Sequence, residues 1–151
     1  MQQSSSKVSV LEPFVGEWDM EAVFPGAQPT DARARTIFER LPGERFLIQR
    51  WEVDHPAAPD GIAVIGFDEG RGVFLQHYFD SRGVARMYEM RVEGSLWKLS
   101  RTAEDFSPLD FCQRFEGTFT DGGTVIRGRW ESSKDGTSWE HDFELIYRKI
   151  E

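Results

Sequence analysis

Between residues 16 and 148 no stretch of the chain is long enough, free of turn signals, to hold a crossover helix. Turn clusters recur at Pro25-Gly26, Pro42-Gly43, residues 55–61, Asp68-Glu69-Gly70, residues 80–83, Glu93-Gly94, Asp121-Gly122-Gly123 and Lys134-Asp135-Gly136. The segments between them are short and rich in Val, Ile, Phe, Tyr, Trp and Thr, the composition of strands. Counting them gives about ten strands in an antiparallel meander. A meander leaves two unpaired edges, and closing it into a barrel removes both most simply. The expectation is an all-β, up-and-down antiparallel barrel in one domain over residues 11–151, with a flexible tail over 1–10. A helical turn or two around residues 7–14 is expected to plug one end of the barrel, and residues 104–110 read as the longest late loop.

Side chains alternate across a strand, so each segment can be sorted into two faces. Near the N-terminus Trp18, Met20, Ala22 and Phe24 share a face opposite Glu17, Asp19 and Glu21. Later, Phe111, Gln113, Phe115 and Phe119 oppose Cys112, Arg114, Glu116 and Thr118. In the last strand Trp139, His141, Phe143, Leu145 and Tyr147 form an inward stripe, and His141 is its polar exception. Two segments stay open. Over 44–54 either Phe46, Ile48 and Arg50 or Leu47, Gln49, Trp51 and Val53 face inward; over 73–79 the choice is Phe74, Gln76 and Tyr78 or Leu75, His77 and Phe79. On the outer faces of the last three strands, Arg114 with Glu116, Arg127 with Arg129, and Glu140 with Asp142 and Glu144 read as a solvated charge ladder.

The formal charge of -8 argues against nucleic acid or an anionic membrane as partner, since both need a basic patch. Cys112 is the single cysteine, which excludes an internal disulfide framework and suits a reducing compartment. Residues 1–10 hold no apolar signal core and no run reaches membrane-spanning length, so a cytoplasmic protein is expected. A homodimer is open, although no segment identifies its interface.

Cavity candidates follow from the faces. The inward polar groups are Thr36, Gln113, His141, Tyr88, Tyr147 and one of Gln76 and His77, among Trp18, Met20, Met90, Phe115, Trp130 and Phe143. A mostly apolar pocket with a few hydrogen-bonding groups is the general form of a small-molecule site. Nucleophile elbows, P-loops, HExxH and dinucleotide fingerprints are missing from the sequence. The three histidines show no metal-binding spacing, so no metal is expected. If the cavity is catalytic, in an isomerase, cyclase or lyase, Tyr88 would bind substrate and His141 would move a proton. If the chain's own aromatics fill the barrel, function moves to the loops at 55–61 and 104–110.

Residues 11–18 with their Gly16-x-Trp18 entry, Gly66-Phe67-Asp68, residues 79–83, and the segment from Trp139 through Arg148 together resemble a bacterial family of unknown-function proteins with a calycin-like barrel. The resemblance covers nearly the whole chain. It implies a lipocalin-related barrel with an internal ligand cavity, in which Gly16, Trp18 and Arg148 form a structural signature and Trp18 packs at the closed end against a basic residue near the C-terminus. Alternation places Arg148 outward and Trp18 inward, so that contact needs a twist, a bulge or another basic partner. Nitrobindin-like barrels share the GxW entry and bind haem through a histidine of a C-terminal strand. That similarity makes haem a candidate cofactor through His141, although Asp19, Met20 and Glu21 stand where that family carries further glycine.

Overall fold

The computed structural model describes residues 9–23, 33–54, 58–106 and 108–150. In chain order the strands are β1 (Gly16–Val23), β2 (Ala34–Arg40), β3 (Phe46–Val53), β4 (Gly61–Asp68), β5 (Val73–Asp80), β6 (Ala85–Glu93), β7 (Leu96–Arg101), β8 (Cys112–Thr120), β9 (Val125–Ser133) and β10 (Glu140–Lys149). Each pairs antiparallel with its neighbours in sequence, and β1 also pairs with β10, which closes a ten-stranded barrel. The closing register sets Trp18 opposite Lys149 and Met20 opposite Tyr147.

At one end the chain enters through a 3-10 turn, Glu12–Phe14, instead of the helix expected over 7–14. Residues 7 and 8, like most of the tail, lie outside the described residues. Two i to i+3 bonds hold the turn, from Phe14 N to Leu11 O at 3.0 Å and from Val15 N to Glu12 O at 3.1 Å. Pro13 lacks the N–H that a continuing helix would use, and Gly16 takes φ 137, a conformation that favours glycine, to swing into β1. The turn still fills this end. Leu11 and Phe14 are buried, and the Phe14 ring meets Phe38, Trp97 and Phe119 with centroids 5.3, 5.0 and 5.1 Å apart. Full burial of each such side chain is worth about 1.5–3 kcal/mol.

Strand pairing settles the two open segments. On β3, Gln49, Trp51 and Val53 face the interior, with Leu47 buried beneath them; on β5 it is Phe74, Gln76 and Tyr78. On the outer surface Arg114 donates to Glu131 at 2.7 Å and Arg148 to Glu21 at 3.0 Å. Arg129 lies in register between Glu116 and Glu144, so part of the expected ladder is in place. Phe24 and the Pro25-Gly26 turn lie outside the described residues.

The last strand departs from simple alternation. Its register with β9 runs His141 to Glu131 and then Phe143 to Trp130, so Asp142 is an extra residue in a β-bulge. The bulge resets the faces. Phe143, Leu145 and Tyr147 point inward as expected, Asp142 joins them, and His141 is exposed on the outside. Trp139 is turned outward too, with the Arg114 guanidinium 4.1 Å from its ring centroid.

Gly117 and Gly128 pair across β8 and β9, and the Phe115 ring lies over both. A Cβ at Gly128 would collide with that ring. Gly128→Ala is therefore expected to destabilise the fold by about 1–3 kcal/mol. Urea denaturation would show it as a lower midpoint with an unchanged slope.

Candidate functional site

Loops differ at the two ends of the barrel. Near the 3-10 turn, residues 41–45, 69–72 and 94–95 make tight connections, whereas residues 54–60, 102–111 and 134–139 at the opposite end are longer. The aromatic core fills the first end, where Leu11, Phe14, Trp18, Phe38 and Met90 are buried. Toward the second end the inward side chains part around a cavity of about 630 Å³. Its floor is Trp97, Leu99 and Phe115, and its walls include Trp51, Tyr88, Trp130, Phe143 and Leu145.

Most residues expected at the cavity are there. Gln113, Tyr88, Tyr147, Trp130, Phe115 and Phe143 line it. Met90 is inward but lies in the packed core, and Thr36 is buried with its hydroxyl 3.6 Å from Met20 Sδ. His141 is not brought to the cavity, because the bulge at Asp142 turns it outward. Tyr88 and His141 therefore do not form a proton-transfer pair. Trp18 sits at the closed end with its Nε1 donating to Phe14 O at 2.9 Å. Its basic partner is Lys149, whose Nζ lies 5.3 Å from the Trp18 ring centroid, while exposed Arg148 pairs with Glu21. Alternation in the register of β10 explains the exchange, since Lys149 shares the inward face with Tyr147.

Of the polar groups at the site, Gln113 was expected from the sequence, Gln49 and Gln76 stood among its open alternatives, and Arg86 and the Trp97 Nε1 were missed. Gln49 lies beside the Tyr147 hydroxyl and works against the upward push of burial on its pKa. Gln113 Oε1 accepts from Tyr88 Oη at 2.9 Å and from an Arg86 guanidinium nitrogen at 3.3 Å. Gln76 is 4 % exposed and has no hydrogen-bond partner among the described residues. Trp97 Nε1 is buried without an acceptor. Burial pushes the phenol pKa of Tyr78, Tyr88 and Tyr147 up, so all three remain neutral hydrogen-bonding groups at ordinary pH.

Two ion pairs brace the rim. Arg101 and Asp105 are each 2 % exposed at the side chain and meet through two bonds, Nε to Oδ2 at 2.8 Å and a terminal nitrogen to Oδ1 at 2.9 Å. Asp105 Oδ2 also accepts from Met87 N at 2.8 Å, just where β6 outruns β7. Asp80 is fully buried at its side chain, and its Oδ2 accepts from Arg82 at 2.6 Å and Tyr78 at 2.6 Å. Burial alone would raise the Asp80 pKa. Hydrogen bonds from the Arg82 and Tyr78 side chains, the Arg82 backbone N–H and the Arg82 charge outweigh it and hold the carboxyl at about 2.

Haem held through an imidazole does not fit this donor set. Among the described residues no histidine lines the cavity, for His141 lies beyond the bulge and His77 points outward from β5. His55 lies outside the described residues. No three His, Cys, Asp or Glu side chains converge as a metal-binding group among the described residues. No helix among them is long and apolar enough to cross a membrane.

No family model matches the sequence, and no curated protein matches it. Among solved structures the chain is similar to Rv2717c from M. tuberculosis, with a TM-score of 0.64 at 12% sequence identity over 95% of this chain and 97% of that one. At that identity the likeness is one of fold, a calycin-like ten-stranded barrel matched along nearly its whole length.

Two outcomes follow from these placements. His141→Ala is expected to change stability by no more than about 0.5 kcal/mol, as a solvent-exposed substitution does, measured by urea denaturation. Asp80 has a folded pKa below its ordinary value of 3.8, so its contribution is present above that value and fades as pH falls toward about 2. Asp80→Asn should lose on the order of 1–2 kcal/mol near neutral pH, after allowance for the exposed Arg82 partner. The two proteins should converge as the medium approaches about pH 2, read from urea midpoints across pH.

Proposed function

We propose that the protein binds a small, largely apolar ligand inside the barrel. The observation that carries this reading is the cavity of about 630 Å³ with an aromatic lining. Its size falls within the roughly 300–1,000 Å³ of ordinary small-molecule pockets. Unpartnered polar groups set into that lining add to it. Among the described residues Trp97 Nε1 is buried without an acceptor and Gln76 makes no hydrogen bond, and a buried polar group left without a partner costs about 1–3 kcal/mol. A ligand bearing a polar atom would supply Gln76 with a partner and be oriented by it. The filled-barrel alternative finds no support in this geometry, because the aromatics pack solidly only at the end closed by Phe14 and Trp18.

The test is occupancy of the cavity itself. A neutral, environment-sensitive naphthalene dye should bind with blue-shifted emission and quench Trp51, Trp97 and Trp130, which line the space. Leu145→Trp, which adds volume into that space, should weaken binding by about tenfold or more without lowering the urea midpoint. Equal binding by wild type and Leu145→Trp would place the dye elsewhere and defeat the reading.

A further inference from the structure

Arg86 is poorly explained by an apolar ligand alone. It lies half-buried on β6, lines the cavity, and shares its inward face with Tyr88 two residues on. Its guanidinium has three neighbours, Gln113 Oε1 at 3.3 Å, the Tyr88 hydroxyl and the Phe111 ring with its centroid at 5.7 Å, and all are neutral. Two other arginines at this end are neutralised, Arg82 by Asp80 and Arg101 by Asp105. Arg86 forms no ion pair among the described residues. Asp105, the carboxylate that reaches Tyr88 electrostatically, is committed to Arg101. Asp142 lines the cavity from β10, which is separated from β6 by β9, β8 and β7 around the barrel wall.

Gln113 completes the arrangement. Its Oε1 already accepts two bonds, from Tyr88 and Arg86, which leaves the amide nitrogen as a donor with no acceptor among the described residues. One wall of an apolar cavity thus presents a guanidinium without a counter-charge beside a free amide donor. A guanidinium fork matches a carboxylate in shape and charge, and an unpaired charge in such surroundings is unfavourable until an anion reaches it.

We propose that the ligand is an amphipathic carboxylate, its apolar body against the aromatic lining and its carboxylate against Arg86 and Gln113. This rests on the cavity-binding reading above. Decanoate and 1-decanol, matched in chain length, provide the test when titrated by tryptophan fluorescence and by calorimetry. Decanoate is expected to bind about tenfold or more tighter than decanol, with the preference shrinking as salt is added. Arg86→Met should abolish the preference while leaving decanol binding in place, and Arg86→Lys should restore part of it. Arg127→Met, an exposed change on the outer face of β9, should leave it intact. Equal affinity for the two probes, or a preference that survives Arg86→Met, overturns the proposal and would mean that solvent at the mouth suffices for Arg86. Should neither chain bind while the neutral dye does, the carboxylate proposal fails and the cavity reading stands. If the dye fails as well, both fall. The salt dependence of the wild-type preference decides the matter even if Arg86→Met does not fold.

Discussion

Pairing of β1 with β10 is the constraint on which the other pairings depend. Nine of the ten pairings join strands that follow one another in sequence, whereas this one bonds Arg148 to Glu21 across 127 residues. Without it the meander would keep two open edges and its interior would be reachable from the side. Its register is fixed by burial. Trp18 is fully buried, tethered through Nε1 to Phe14 O and covered by Lys149, and Tyr147 opposite Met20 is 3 % exposed. A slip of one residue would turn every inward side chain of β10 to solvent, so no nearby register competes.

Closure at one end makes room at the other. Leu11, Phe14, Phe38 and Trp97 occupy the interior where the 3-10 turn crosses it. No comparable plug exists among the described residues at the far end, where a buried ion pair ties down the 102–111 connection and Phe106 packs against Phe79. Asp105 reaches back from the 102–111 connection to satisfy the Met87 N–H that β7 no longer meets. Losing either member of its pair with Arg101 would strand a buried charge at a cost of about 3–5 kcal/mol. The rim is thus fixed by two carboxylates, Asp80 and Asp105, that do not depend on what enters the cavity.

Architecture was legible in the sequence because turn chemistry and period-two alternation are local. The clusters at Asp68-Glu69-Gly70 and Asp121-Gly122-Gly123 bound strands where expected, and Trp18, Gln113 and Phe115 lie on the faces that alternation gives them. Residues 44–54 and 73–79 were undecidable for a physical reason. Both faces of these strands are apolar, with Phe46 at 44 % and Phe79 at 40 % exposure outside, so composition could not separate inside from outside. The helical plug shrank to one turn because Pro13 and Gly16 leave no length for it. The ion pairs at the rim were invisible, since Arg101 and Asp105 meet only once the 102–111 connection folds back.

The bulge in β10 shows how one inserted residue alters the chemistry of a site. Uninterrupted alternation would have carried an imidazole into the cavity at His141 and left Asp142 outside. With the extra residue, Asp142 brings a carboxylate to the lining on β10 while Arg86 keeps a cation on β6, and the histidine is left in solvent. Charge of opposite sign on separated walls polarises the space without either group neutralising the other. Phe115 and Trp130, on the strands between them, line the same cavity, and an apolar lining strengthens the action of a charge relative to water. Under the proposed carboxylate binding the electron-rich end of the molecule would lie toward β6. That directionality comes from the register of the strand whose pairing also closes the barrel.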